Sequence, residues 1–109
     1  MKTNIDYAEL VREAKSGDKE SLSRLAEAVR ERLYSYIYRC TLDEDLTHDI
    51  VQGSLLKMLE ALGQLKEIEQ FWPWLYKIAL NQLRFHHRNE KNHKTVSSPD
   101  MDSQHNHDD

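Results

Sequence analysis

The sequence predicts an all-α fold: a compact bundle of about four helices with a disordered C-terminal tail. Apolar residues recur at spacings of three and four along most of the chain, the period of a helix with one buried face. Gly and Pro are scarce, three and two in 109 residues, and they fall where such stretches stop or start. An aspartate stands before two of the stretches, where its carboxylate can accept from the free N–H groups of a first turn.

The first helix is predicted over residues 7–16, with Tyr7, Leu10, Val11 and Ala14 on one face and Gly17 as its stop. Asp18 then caps a long second helix over 19–41. Leu22, Leu25, Ala26, Val29, Leu33, Ile37 and Cys40 repeat along it, while Arg24, Arg30, Glu31 and Arg39 lie mostly outside that stripe. Asp43 caps the third, whose first turn carries Glu44 and Asp45 at the positive end of the macrodipole. It runs to Leu62 and stops at Gly63. Leu46, Ile50, Leu55, Met58, Leu59 and Leu62 form its buried face, and Val51 and Leu56 widen the apolar arc beyond what one neighbour covers, which suggests a partner surface or pairing of two copies. Residues 64–70 have no clean period. Pro73 then suits the first turn of a fourth helix over 72–92. Domain 1–94 is thus helical, and 95–109, rich in Ser, Asp, Asn and His without apolar periodicity, is predicted to be disordered.

The composition, 39% apolar and 31% charged with a mean hydropathy of −0.81, fits one small soluble domain. No apolar run approaches a bilayer span, and the N-terminus resembles no signal peptide, so a cytoplasmic location without a membrane partner is expected. The single Cys40 permits no internal disulfide and no thiolate pair for zinc. Charge is unevenly spread. All 15 Lys and Arg lie within residues 1–94, together with 15 of the 19 acids, so the net charge of −4 belongs to the tail. Residues 71–94 hold Lys77, Arg84, Arg88, Lys91 and Lys94 against Glu90 alone, a local net of +4. Such a segment can meet a polyanion.

Nothing in the pattern points to catalysis. The acid pairs Glu44–Asp45 and Glu67–Glu69 lie in charge-rich stretches with no apolar setting to raise a pKa for acid–base work. His86 and His87 diverge by about 100° on a helix, His105 and His107 lie in the tail, and His86 with Glu90 is too small a ligand set for a metal. A metal module built on these histidines therefore ranks last, and no cofactor is expected. Phe71, Trp72, Trp74, Tyr76 and Phe85 accompany the basic segment, an association suited to stacking unpaired bases while cations hold the backbone. The alternative is that Phe71, Trp74, Leu75, Ile78 and Ala79 are core and Lys77 and Arg84 only solvated edges. Composition leaves both open.

Three motifs, AKSGDKESLSRL, DEDLTHDIVQ and WLYKIALN, occur in the order and at the separations seen in region 2 of extracytoplasmic-function sigma factors of the sigma-70 family, which the chain resembles over about residues 9–94. The resemblance implies a helical domain that docks on the clamp helices of the largest subunit of core RNA polymerase and opens the promoter −10 element. Asp49 and Gln52 match the acidic and amide positions of the polymerase-binding motif, with Leu55 and Leu56 beside them; Gly53 stands where the family usually has Glu. Residues 64–70 match the loop that captures a base flipped from the nontemplate strand. Lys66, Lys77, Asn81, Arg84 and Arg88 are then the candidates for contacts to single-stranded DNA. The structural alternative for Asn81 is an ordinary exposed helix amide.

Family members continue into region 4, which reads the −35 element, so the chain is expected to be either a piece of a longer factor or a stand-alone region 2. The rival to an initiation role is a decoy that binds only another protein, such as an anti-sigma factor, for which Gly53 in place of a charged contact is the argument.

Overall fold

The computed structural model describes residues 6–94, and side chains as far as residue 88. The expected tail, 95–109, lies outside the described residues, as do His105 and His107. The described residues form four helices, α1 (Tyr7–Lys15), α2 (Lys19–Thr41), α3 (Glu44–Ala61) and α4 (Phe71–Lys94), with two 3-10 turns, Leu62–Gln64 and Ile68–Gln70, between the last two. No strand occurs among them.

Each of the first three helices begins on an aspartate. Asp6 accepts from the Glu9 N–H, Asp18 from the Ser21 N–H and Asp43 from the Leu46 N–H. The Asp18 carboxylate also accepts from the Ser21 hydroxyl at 2.9 Å. Its pKa is held below the ordinary carboxylate value, first by the backbone and then by the side-chain hydrogen bond from Ser21. Gly17 ends α1 with φ +91°, a left-handed conformation that a Cβ would oppose. At the next corner Leu42 takes a left-handed φ of 54° and donates its N–H to the Tyr38 carbonyl at 2.7 Å. That conformation costs a non-glycine residue roughly 1–2 kcal/mol. Thr41 holds the corner: its hydroxyl accepts from the Asp43 N–H and shares a 2.7 Å hydrogen bond with the fully buried Thr47.

The third helix ends differently from the sequence expectation. It stops at Ala61, and Leu62, Gly63 and Gln64 tighten into a 3-10 turn in which Gly63 has no positive φ. Leu62 is buried there, so packing rather than glycine freedom terminates the helix.

The core gathers Val11 and Ala14 from α1, Leu25, Val29, Leu33 and Ile37 from α2, Ile50, Val51, Leu55 and Met58 from α3, and Phe71, Leu75 and Ala79 from α4. α3 packs between α2 and α4, and α1 lies on α2 and against both 3-10 turns. The middle position of α3 explains its wide apolar arc. One side, with Val51, is covered by the chain's own helices rather than left for a partner; Leu56 alone of the two widening residues stays out, 58% exposed. Cys40, placed in the stripe of α2 by its spacing, is exposed at the end of the helix.

Candidate polymerase and nucleic-acid surfaces

Turning outward from the core, α3 presents Asp49 and Gln52, both exposed, and Leu56. Their spacings of three and four residues align them along one face. Leu55, advanced by about 100° from Ser54 and set back as far from Leu56, is only 5% exposed and packs inward. Among the expected polymerase-binding residues it thus belongs to the core rather than to the exposed face. Gly53 is half-buried in the seam between α3 and α4: a Cβ built on it would lie 2.6 Å from Oε1 of Gln82. The atoms it would meet all belong to the Gln82 side chain, whose flexible end can move aside.

At the α2 edge of the same face, His48 lies 5.2 Å from the Tyr34 ring, and Tyr34 stacks nearly parallel on Tyr38, with centroids 6.1 Å apart. The Tyr34 phenol is raised above its ordinary pKa by burial first, then by Glu44, Tyr38 and Asp45. Tyr38 and Leu42, 36% and 73% exposed, extend the apolar part of this corner.

On α4, Lys77, Asn81, Arg84 and Arg88 are all exposed. Intervals of four, three and four residues stack them into one stripe along the helix. Arg84 donates to the Asn81 side-chain oxygen at 3.0 Å, so the amide is tied into the stripe and its NH2 group is left to donate outward. Among the described residues, Lys66, Lys77 and Arg84 enter no ion pair, whereas Arg12, Arg24 and Lys57 all do. Lys66 is exposed on the extended stretch between the two 3-10 turns.

The aromatic residues divide between the core and the surface. Phe71 and Leu75 are core, and Trp74 is half-buried against Phe71, 6.0 Å between centroids. Trp72 and Tyr76 form a row at the surface with Tyr36 and Tyr7: Trp72 meets Tyr7 edge-on at 5.2 Å, and Tyr76 lies 4.1 Å from Tyr36. Arg32 covers this row. Its guanidinium carbon sits 3.9 Å from the Trp72 centroid and its Nε donates to the Tyr76 hydroxyl at 3.0 Å. Sequence reading missed Arg32, although Arg32 and Tyr36, and Trp72 and Tyr76, are each four apart and could have been matched as facing pairs. Phe85 remains 52% exposed beside the basic stripe.

Among the described residues no group of three metal-binding side chains occurs, and no helix is long and apolar enough to cross a membrane. The His86–Glu90 pair lies partly outside the described side chains.

The four helices thus place an acidic, leucine-bearing face and a cationic face on neighbouring rods. The chain belongs to the sigma-70 family: the family model for Sigma-70 region 2 matches residues 25–93. It is similar to the RNA polymerase sigma-H factor of Pseudomonas aeruginosa, 29% identical over 86 residues, or 79% of this chain and 45% of that protein. It is also similar to the ECF RNA polymerase sigma-E factors of Salmonella typhimurium and Salmonella typhi, 31% identical over 72 residues, 66% of this chain and 37% of each relative. The chain therefore spans less than half the length of these curated relatives. No solved structure matches it.

Proposed function

We propose that this domain acts in transcription initiation in the cytoplasm, binding core RNA polymerase through α3 and capturing nontemplate single-stranded DNA of the −10 element with residues 64–70 and α4. Membership of the sigma-70 family supports the general role. The observation that carries the division of labour is the Lys77–Asn81–Arg84–Arg88 stripe on one helix beside Asp49, Gln52 and Leu56 on the other. On α3, Asp49 and Gln52 make polar contacts around Leu56 against the clamp helices of the largest subunit, the partner that the family resemblance implies. On α4, cations neutralise backbone phosphates, and the Asn81 amide and Lys66 are the candidate contacts to an unstacked base and its flanking phosphates. Extruding a base costs a few kcal/mol, offset by those contacts. The domain makes and breaks no covalent bonds in this role.

With three exposed cations on one stripe, binding of free single strands is weak and steeply salt-dependent, and polymerase supplies the positioning. The rival reading, a decoy that binds only another protein such as an anti-sigma factor, rests on Gly53 in place of a charged contact, and a Gly53→Glu variant that gains core-polymerase pull-down would favour it. Co-purification with core polymerase, followed by initiation assays on templates with a pre-melted bubble, tests the proposal. Retention of polymerase and bubble-dependent transcripts support it. A domain that binds neither polymerase nor unpaired oligonucleotides at low ionic strength overturns it.

A further inference from the structure

We infer that Lys15, at the end of α1, is a positioning residue that sets the conformation of the 64–70 segment for nucleic-acid capture. This rests on the function proposed above. Between the two 3-10 turns, Leu65 and Glu67 are extended, with ψ of 116° and 112°, and whereas the Glu67 carbonyl accepts from the backbone, the Leu65 carbonyl has no backbone donor. The segment is pinned at its ends, where the Leu65 N–H donates to the Leu62 carbonyl and the Gln70 N–H to the Glu67 carbonyl. Between them, the half-buried Lys15 ammonium reaches across fifty residues of sequence and donates to the Leu65 carbonyl. Leu65 itself is 4% exposed and plugs the core, so this bond fixes the point from which Lys66 and Glu67 project into solvent.

α1 also braces the start of α4. Tyr7 packs edge-on against Trp72 and donates its hydroxyl to the Ala28 carbonyl at 3.4 Å. α1 touches both 3-10 turns, so a helix that offers none of the candidate DNA contacts holds both ends of the segment that does. Lys15 precedes the stretch 25–93 matched by the family model. A hydrogen bond from a charged donor to a buried carbonyl is among the stronger kinds, because losing the donor leaves the carbonyl desolvated and unpaired.

The test compares wild type with Lys15→Met, Lys15→Arg and the exposed control Lys19→Met, which removes the same charge elsewhere. Amide exchange of residues 65–70 is read beside that of α2 and α3, and binding to a fluorescent oligo(dT) strand is read at low salt. Lys15→Met is expected to speed exchange in 65–70 by about tenfold, the factor carried by one charge-assisted hydrogen bond, with α2 and α3 unchanged. It weakens oligo(dT) binding more than Lys19→Met does, and Lys15→Arg restores both readouts. Unchanged exchange in 65–70, exchange that rises equally in every helix, or binding no weaker than that of Lys19→Met each overturns the inference. If wild type ignores oligo(dT), the nucleic-acid role of the previous subsection fails and this inference with it, whereas intact wild-type binding confines any failure to Lys15.

Discussion

α3 and α4 are packed on each other through the Gly53–Gln82 seam, yet their outward faces carry opposite chemistry. The exposed positions of α3 include Glu44, Asp45, Asp49, Gln52 and Leu56, with Lys57 paired to Glu60 at 3.9 Å. Those of α4 include Lys77, Arg84 and Arg88 and no acid up to residue 88. A domain that is neutral over residues 1–94 is therefore polarised helix by helix. Net charge hides this. The buried side of α3 includes Thr47 and Ser54 among its apolar residues whereas that of α4 is Phe71, Leu75 and Ala79, and the one continuous core they share orients two surfaces of opposite sign.

The strongest way to break the comparison is to remove the packing common to both helices. Met58→Ala empties a fully buried site on α3 and should cost about 2–5 kcal/mol, seen as a lower denaturation midpoint, with both surfaces lost together. Charge changes separate the faces. Arg84→Glu should weaken oligo(dT) binding by more than about tenfold and flatten the logarithmic salt dependence by at least ~0.7 per phosphate contact removed, while polymerase pull-down stays intact. Asp49→Arg should do the reverse. Equal losses in both assays from either variant would contradict separate surfaces.

Smaller effects sharpen the picture. Asp43→Ala removes the α3 cap and should cost about 1 kcal/mol by chemical denaturation, whereas the start of α4 relies on Pro73 and the buried Phe71 and should not respond. For α2 the cap is pH-dependent. The folded pKa of Asp18 is depressed by its hydrogen bonds from Ser21, so the folded state binds fewer protons than the unfolded one in the acid range. Its stabilisation is present above the ordinary carboxylate pKa and disappears as pH falls through the lower folded value. Asp18→Ala should flatten the acid limb of a stability–pH profile. The smallest change is Gly53→Ala. The gain of about 1 kcal/mol in helix propensity is opposed by displacement of the Gln82 amide, a flexible group, so the midpoint should move little while α3–α4 exchange protection shifts at Gln82.

Much of this architecture was legible in local sequence. Asp18, Gly17 and Asp43 act as the caps their types and positions suggest, α2 has the predicted bounds Lys19–Thr41, and Lys77, Asn81, Arg84 and Arg88 share a face by spacing alone. Caps and periodicity are decided within one or two helical turns, so nearby residues contain the whole cause. Other assignments needed the neighbours. Val51 and Leu56 both widen the apolar arc of α3, but only the placement of α2 and α4 buries the first and leaves the second in solvent. Cys40 follows the α2 stripe and still lies outside the core, because at that end of α2 it is Thr41 that turns toward α3, where it meets Thr47.

The composition, period and capping residues by themselves determined four helices, a basic final rod and the apolar stripes that bury it. Tertiary structure alone decided that Gly53 admits Gln82, that Arg32 covers Trp72 and that Lys15 holds the Leu65 carbonyl. These pairs are separated by 29 to 50 residues. No local propensity encodes such contacts; they exist only after burial of the common core has brought distant turns together.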